Sequence, residues 1–435
     1  MKKLKSFYKE YGQYVIEFRA IPYIWDGLRP VERRVLISGY NVAKKMIKSA
    51  NVVGAAIVLH PHGDSSIYSC LTRLVNAGLF DGQGNWGSNI GTESWPAAAM
   101  RYTECKLNEN TKKLIFEHID YVPKEKVEHM VEPTYLPTPI PLCFTIDNPN
   151  IGVGFGFQTC IPKYKIKDLF KQLINLLKNK KSTIVPYFPN NTIITKESQV
   201  KELLEKGYGY ITYQSNYEVI ENKRTIIIKG VPVKGFAQLN KVMDKYFQKK
   251  IITWEDYSKK NKTEVIISVI KNKKCDFQQL KKDIIKCITN KITYNLLFVD
   301  DNKKLQVMPV NTLLLSTFNR YKKDTITHIN SDIQKVSDMI NELTNIQLLR
   351  PHVGDLANKN IHNIIDIVNI LHKKVNGVIP MDEIERLMNK YTITKLLTIK
   401  LEIDKYKQEK KNLQNTLNTI DSVLLDKMID FSKLF

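Results

Sequence analysis

Residues 97–104 read AAAMRYTE, and this stretch decides how the rest of the 435-residue chain is interpreted. Three small residues lead into Arg101 and Tyr102. A free tyrosine has a pKa near ~10 and is a poor nucleophile at neutral pH. A neighbouring cation favours the phenolate, and a guanidinium can also hold a phosphate oxygen bidentately. The pair therefore suits attack on a phosphodiester, although an isolated Arg-Tyr is more often a packed ring beside a surface charge.

Composition indicates a polyanionic partner. The formal net charge is +22 and the pI is about 9.4. A large field of one sign favours nucleic acid first and an anionic membrane surface second. No apolar run approaches the ~20 residues that a membrane span needs. The six cysteines show no CxxC pair and no spacing typical of a disulfide framework, which predicts a reducing, cytoplasmic location.

Two motifs upstream of Tyr102 indicate a helical DNA-binding region. Residues 26–36, DGLRPVERRVL, predict a turn and then a helix that starts at Pro30. Residues 60–66, HPHGDSS, separate a predicted helix over 43–59 from a second helix capped by Asp64 or Ser65. The N-terminus of that second helix would direct N–H donors at a phosphate, close to His60 and His62. A metal site at His-x-His has little support, because the cap explains Asp64.

A glycine-rich loop, DGQGNWGS at residues 81–88, follows, and it lacks the Gly-Lys-Ser/Thr of a phosphate-binding Walker loop. The ordered set DGLRPVERRVL, HPHGDS, DGQGNWGS and AAAMRYTE resembles the breakage-reunion subunit of type IIA DNA topoisomerases, such as the gyrase A subunit. The resemblance continues through PTPIP at 137–141 and NIGVG at 150–154. The chain looks closest to the medium subunit of T-even-type phage topoisomerases.

The resemblance implies roles for individual residues. Tyr102 would attack a DNA phosphodiester and become linked to the 5′ phosphate, while Arg101 would stabilise the transition state. Ile151 matches the isoleucine that wedges between base pairs and bends DNA, although by itself it would indicate core packing. The resemblance assigns DNA contact or transition-state support to Arg19, Arg29, Arg33, Arg34, His60, His62 and Ser65.

Three features depart from the family pattern. Arg29 stands where the family usually has lysine. Glu32 replaces the usual histidine beside Arg33 and Arg34, and we expect it to place an acid near the phosphate. Residues 155–161 form a longer stretch than the usual connection, which puts the geometry after Ile151 in doubt.

The remaining patterns predict a multidomain α+β protein. Strand-like runs at 208–213, 225–229 and 264–270 alternate with helical patterns near 165–180, 236–250 and 276–290. Apolar residues at 4-3 spacing then predict a helix out, a small globule and a helix back. These residues are Ile329, Ile333, Val336, Ile340 and Leu343 before the globule, and Ile399, Ile403, Tyr406, Leu413, Leu417, Ile420 and Leu424 after it.

The resemblance gives these regions names and partners. Residues 1–162 would be a winged-helix breakage-reunion domain, 163–310 a tower domain, and 311–435 a long antiparallel coiled coil with a dimerisation globule at about 350–390. A homodimer is implied, because one tyrosine cuts one strand of double-stranded DNA. Mg²⁺ and ATP would be bound by a large partner subunit, with no metal site expected in this chain.

We expect relaxation or decatenation rather than gyrase-type wrapping, because the chain ends too soon for a C-terminal β-propeller. Two other interpretations stay open. A non-catalytic architectural DNA-binding protein could share the scaffold. A tyrosine recombinase is disfavoured, because no Arg/His/Arg set surrounds a C-terminal tyrosine.

Overall fold

The computed structural model describes residues 2–435 except 62, 89–90, 128–129, 189, 260–261, 272, 274 and 358–362. Helices and strands are mixed along the chain, as the α+β prediction requires, and they divide into two compact units. One unit contains Met1–Asp324 with Leu425–Phe435, and the other contains Thr325–Leu424. Within the described part of the chain, no helix is both long and apolar enough to cross a bilayer.

The N-terminal third is helical, with short strands between the helices. Its second helix begins at Pro30, whose fixed φ suits a first helical position, as predicted. The elements are α1 (Lys2–Val15), α2 (Pro30–Val42), β1 (Ile47–Lys48), α3 (Ser49–Leu59), α4 (Asp64–Asn76), β2 (Phe80–Gln83), β3 (Glu104–Leu107) and α5 (Glu109–Ile115). A π-helical turn, Ile16–Ala20, follows α1.

The helix predicted over 43–59 begins later than expected, at Ser49. Residues 47–48 pair with Cys105 and Glu104 instead of continuing into a helix. The resulting three-stranded sheet has the order β1-β3-β2. The position of the α4 cap is also corrected, because Gly63 is the N-cap and Asp64 lies in the first turn.

A β-hairpin carries Ile151 and corrects the interpretation of residues 155–161. After a first hairpin, β4 (Lys124–Val127) with β5 (Met130–Pro133), come β6 (Asn150–Gly154) and β7 (Phe157–Ile161). Gly154 pairs with Phe157, so Phe155 and Gly156 form a two-residue turn with both φ angles positive. The long stretch is therefore the returning strand of an ordinary hairpin.

Two larger sheets follow in the same unit. The elements of this region are α6 (Ile166–Leu177), β8 (Asn191–Ile193), α7 (Glu197–Lys206), β9 (Tyr208–Ser215), β10 (Tyr217–Ile220), β11 (Thr225–Ile228), α8 (Ala237–Gln248), β12 (Ile252–Asp256), β13 (Val265–Val269), α9 (Phe277–Ile288), β14 (Thr289–Asn295), β15 (Leu297–Val299) and β16 (Leu305–Val307). The five-stranded sheet has the order β6-β7-β14-β9-β8 and includes strands from both sides of residue 162. The four-stranded sheet has the order β10-β11-β13-β12 and packs against α8 and α9 through Ile226, Ile267, Leu239 and Ile284.

The second unit is helical. The last helices of the chain are α10 (Val310–Ala357), α11 (Ile364–Lys374), α12 (Met381–Lys390), α13 (Ile393–Thr398), α14 (Ile403–Asn418) and α15 (Ile420–Leu434). The core of this unit joins Leu343, Ile346 and Leu349 of the long helix α10 to Leu371 of α11 and Leu387 of α12. Two residues of the predicted apolar seam, Ile403 and Tyr406 of α14, pack on this core but are only partly buried.

Candidate functional site

Tyr102 lies near the end of the loop that connects β2 to β3, two residues before β3 begins. Its side chain is 63% exposed, which is unusual for a large aromatic residue in a folded protein. The backbone turns immediately before it, because the Tyr102 N–H donates to the Ala99 carbonyl oxygen at 2.8 Å. The hydroxyl group is therefore presented outward and not packed into the core.

The base of this loop is tied to α3 on one side. Thr103 is buried, and its carbonyl oxygen accepts a bond from the Ser49 N–H at 3.0 Å. The Thr103 hydroxyl also donates to the Ser49 hydroxyl at 2.8 Å. Ser49 is the first residue of α3, so the start of that helix fixes the residue that follows Tyr102.

The other side of the loop is tied to α4 and to the glycine-rich loop. The Tyr68 hydroxyl donates to the Ala98 carbonyl oxygen at 2.5 Å and lies 2.9 Å from the Thr103 hydroxyl. The Ala98 N–H donates to the Asn85 carbonyl oxygen at 2.9 Å. Residues on both sides of Tyr102 are thus held while its side chain stays accessible, which is the preorganisation that a nucleophile requires.

Arg101 lies against Tyr102. Its guanidinium carbon is 4.6 Å from the centre of the Tyr102 ring, within the range of a cation–π interaction. The Arg101 side chain is exposed, so its N–H groups can also reach a ligand. Glu104, the first residue of β3, forms an ion pair at 2.7 Å with Lys48 of the neighbouring strand β1.

His60 lies just beyond α3 and contacts Arg34. The Arg34 Nη1 atom is 2.9 Å from His60 Nδ1. A guanidinium can only donate, so Nδ1 accepts this bond and Nε2 carries the hydrogen of the ring. Arg34 is itself fixed by Glu132 of β5 through a pair at 2.7 Å. Both His60 and Arg34 are buried.

Arg33 and Arg34, which were predicted to contact the DNA backbone, are both buried and ion-paired. Arg33 forms an ion pair with the buried carboxylate of Asp26 at 2.8 Å, and Arg34 pairs with Glu132. The pKa of Arg33 is raised, because the attraction of Asp26 outweighs a burial that by itself would lower it. Each guanidinium therefore has a buried counter-ion within the protein.

Glu32 also differs from expectation, because it is a buried counter-ion and not an acid beside a phosphate. Its carboxylate accepts from Arg29 at 2.7 Å and from Arg73 at 2.9 Å. Burial by itself would raise the pKa of Glu32, but the two guanidiniums lower it below its usual value. Arg29 also donates to the Ile151 carbonyl oxygen at 2.9 Å.

Ile151 and Arg19 belong to packed neighbouring elements. Ile151 is 46% exposed on β6, so its side chain is free of the core. A Cβ atom at Gly152 would lie 1.9 Å from the Ala20 carbonyl oxygen, so only glycine permits this approach to the π-helical turn. Arg19 is exposed on that turn.

The remaining predicted residues lie at the start of α4. Ser65 is exposed in the first turn, and its N–H donates to the Asp64 carboxylate at 2.8 Å. His62 lies outside the described residues. Within the described ranges, no group of three or more histidine, cysteine or acidic side chains could hold a metal ion.

Several residues that shape the site carry no signal in the sequence. Tyr68, Ser49 and Thr103 hold the loop through hydroxyl groups, and no spacing pattern marks a hydroxyl that bonds to a distant backbone. Asp26 stood inside a motif but had no assigned role. Glu132 is 98 residues from Arg34, so only the fold brings these two together.

Comparison with known proteins decides the family. A family model described as the A subunit of DNA gyrase/topoisomerase IV matches residues 19–433. The chain belongs to the DNA gyrase/topoisomerase IV A-subunit family. A DNA gyrase A subunit from Clostridium acetobutylicum is 27% identical over 465 aligned residues, which cover 98% of this chain and 54% of that protein.

Other relatives within the family agree. A DNA topoisomerase 4 A subunit from Salmonella typhimurium is 28% identical over 396 residues, covering 83% of this chain and 50% of its own length. One from Haemophilus influenzae is 34% identical over 248 residues, covering 52% of this chain and 32% of its own. The chain thus spans about half the length of the first two of these relatives.

Proposed function

We propose that this chain is the DNA-cleaving subunit of an ATP-dependent type II DNA topoisomerase. The single observation that carries the proposal is Tyr102, exposed on a loop whose two sides are hydrogen-bonded to α3 and α4, with Arg101 at its ring. Membership of the gyrase/topoisomerase IV A-subunit family supports the same conclusion. The net charge of +22 suits double-stranded DNA as the substrate.

The proposed reaction is a reversible transesterification. The Tyr102 oxygen attacks a DNA phosphorus, a bond from tyrosine to the 5′ phosphate forms, and the bond to the 3′ oxygen breaks. The 3′ oxygen leaves as a hydroxyl, and the proton lost by tyrosine balances the one it gains. Arg101 stabilises the charge that develops on the phosphoryl oxygens. The phosphotyrosyl bond conserves the energy of the phosphodiester, so resealing is the same step in reverse.

We assign the surrounding residues by their accessibility. Exposed Arg19 and Ser65 suit contact with the DNA backbone, and Ile151 suits insertion between base pairs. His60 is held by Arg34 in the tautomer that carries its hydrogen on Nε2, and we assign it to support of the reaction. Arg33 and Arg34 act through the scaffold, and Arg29 acts through the Ile151 carbonyl oxygen.

We infer that the active assembly is a homodimer with a second, larger subunit. That subunit would bind ATP and supply the main ligands of Mg²⁺, whose chemistry is stabilisation of phosphate charge. Residues 1–162, 163–310 and 311–435 are proposed as the winged-helix, tower and coiled-coil regions, with the dimerisation globule at about 350–390. The likeness to the T-even-type phage medium subunit, and relaxation or decatenation in place of wrapping, stay predictions.

Covalent adduct formation tests the proposal. The full chain is incubated with its co-expressed ATPase subunit, Mg²⁺ and supercoiled plasmid, and denaturant traps any protein-linked DNA. We expect the wild type to form an adduct at the 5′ ends and Tyr102→Phe to form none while still binding DNA. An adduct from Tyr102→Phe would contradict the assignment of the nucleophile. Absence of any adduct from the wild type would favour an architectural DNA-binding protein.

A further inference from the structure

Glu32 is the centre of a buried charge network that lies outside the proposed chemistry. Its side chain is 1% exposed, yet it accepts four hydrogen bonds. Three come from Arg29, through its backbone N–H, Nε and Nη2, and one comes from Arg73 Nη2. The three guanidinium bonds converge on Oε1, and the Arg29 backbone N–H is bonded to Oε2, so both carboxylate oxygens of Glu32 are engaged.

The first arm of the network runs from Glu32 to the strand that carries Ile151. Arg29 Nη1 donates to the Ile151 carbonyl oxygen at 2.9 Å, and Nη2 donates to the Asn150 side-chain oxygen at 2.6 Å. The Arg29 side chain is 12% exposed. Because the guanidinium is planar and rigid, fixing one edge on Glu32 also fixes the direction of the edge that holds β6.

The second arm reaches the same segment from the other end. Arg73 donates to Glu32 through Nη2 at 2.9 Å and to Asp147 through Nε at 2.5 Å. Asp147 precedes Asn150 by three residues, so both ends of segment 147–151 are attached to one carboxylate. Glu32 lies between the two cations, and without it the 12% exposed Arg29 side chain and the 30% exposed Arg73 side chain would meet as like charges.

We propose that Glu32 is a positioning residue for Ile151. It orients Arg29 and Arg73 so that segment 147–151 holds Ile151 at a fixed height above the protein surface. This inference rests on the proposed role of Ile151 as the wedge that bends DNA. A wedge must enter a base step against the cost of unstacking, and a loosely held side chain would lose part of its insertion energy to disorder.

A purely structural role for Glu32 makes a different prediction. It would lower stability and binding together, and it would do so whether or not residue 151 is isoleucine. A positioning role acts only through the wedge. Replacing Glu32 should therefore change the bend of bound DNA, and should change it no further once Ile151 has been truncated.

The test measures DNA bending by the full chain at saturating protein. A short duplex labelled at both ends reports the bent fraction by energy transfer, and filter binding reports affinity separately. The variants are Glu32→Gln, Ile151→Ala and the double variant. The control is Glu218→Gln, which removes an exposed carboxylate paired with Lys229 on a different sheet. Glutamine keeps the shape of Glu32 but turns an amide donor toward guanidinium donors.

We expect Ile151→Ala, which keeps one methyl group, to lower the bent-to-straight ratio further than Glu32→Gln while leaving it measurable. Glu32→Gln should lower the ratio about tenfold, the scale of one lost hydrogen bond to a charged group. The double variant should match Ile151→Ala alone, and Glu32→Asp should restore part of the bend. If Glu32→Gln does not fold, Arg29→Lys carries the same test, because one ammonium cannot reach Glu32, Asn150 and Ile151 together.

The outcomes separate the two claims. If the wild type and Ile151→Ala bend DNA equally, the proposed wedge is wrong and the inference falls with it. If Ile151→Ala loses the bend but folded Glu32→Gln, or Arg29→Lys in its place, keeps it, the wedge stands and the positioning role of Glu32 is wrong. An additive loss in the double variant would also overturn the positioning role.

Discussion

The Tyr68 hydroxyl donates to the carbonyl oxygen of Ala98, so a residue on α4 fixes the backbone four residues before Tyr102. The same hydroxyl is within hydrogen-bond distance of Thr103, directly after Tyr102. One phenol therefore bridges the two sides of the loop. Because the Tyr68 hydroxyl donates to backbone and contacts a buried hydroxyl, Tyr68 acts on the geometry of the loop and not on a ligand.

Tyr68→Phe should lower adduct formation and leave DNA binding nearly unchanged. The substitution keeps the ring but removes a bridge worth about 0.5–1.5 kcal/mol per hydrogen bond, so we expect roughly a tenfold smaller adduct yield. Trapped adduct and equilibrium binding are measured on the same preparation. Tyr8→Phe, at an exposed position of α1, is the matched control. If Tyr68→Phe forms as much adduct as the wild type, the loop keeps its geometry without this bridge.

Arg101→Lys should retain only part of the activity of Arg101, and Arg101→Ala should lose more. A lysine keeps the positive charge but cannot bind a phosphate bidentately or stack on the Tyr102 ring in the same way. Removing a transition-state donor typically costs about 10²–10³ in rate, which we expect for alanine, with lysine between. Single-turnover cleavage measures both variants. Equal rates for lysine and arginine would leave charge alone as the role of Arg101.

Most helices and strands of the first unit, Met1–Asp324 with Leu425–Phe435, were predicted from the sequence because local signals determine them. Pro30 starts α2, and β-branched runs form β9, β11 and β13. The errors have tertiary causes. Residues 47–48 pair with β3, which a local helical pattern cannot reveal. The Phe155-Gly156 turn was missed because both residues adopt positive φ, and Phe155 is an uncommon residue there.

The residues of the candidate site also fall into two groups, those that local motifs predicted and those whose surroundings depend on the tertiary structure. Tyr102, Arg101 and Ile151 were predicted from motifs, and the structure places all three at exposed positions. Arg34 and Glu32 pair with Glu132 and Arg73, which lie 98 and 41 residues away, so their burial could not be predicted from the local sequence. Asp26 is only seven residues from Arg33, but that spacing across a turn does not show that the two side chains are buried together. A charged motif does not reveal whether its charges meet a ligand or each other.

Removing the partner of Arg34 should destabilise the protein. Glu132→Ala leaves a buried guanidinium without its counter-ion, and loss of one member of such a pair costs about 3–5 kcal/mol. Chemical denaturation measures the free energy of unfolding. Glu218→Ala, which breaks the exposed pair with Lys229, should change it by less than about 1 kcal/mol. Similar losses in the two variants would contradict the scaffold role of Arg34.

The salt dependence of DNA binding should separate scaffold arginines from DNA ligands. Arg34→Met combined with Glu132→Leu removes the buried pair without leaving a charge, so the slope of log affinity against log salt should not change. Arg19→Met removes an exposed charge and should reduce the slope by about 0.9 if Arg19 contacts one phosphate. A reduced slope in the double variant would restore Arg34 as a direct ligand.

The Glu32 network should also make stability depend on acid pH. Arg29 and Arg73 outweigh burial and hold the pKa of Glu32 below its ordinary value of 4.5. A lowered pKa in the folded state means that this contribution is complete above the unfolded pKa and is lost as pH falls through the folded pKa. We therefore expect the stability difference between wild type and Glu32→Gln to be constant near neutral pH and to shrink below about pH 4.5. Denaturation of both proteins from about pH 6 to about pH 3 measures it. A difference that stays constant over this range would mean that the pKa of Glu32 is the same in the folded and unfolded states.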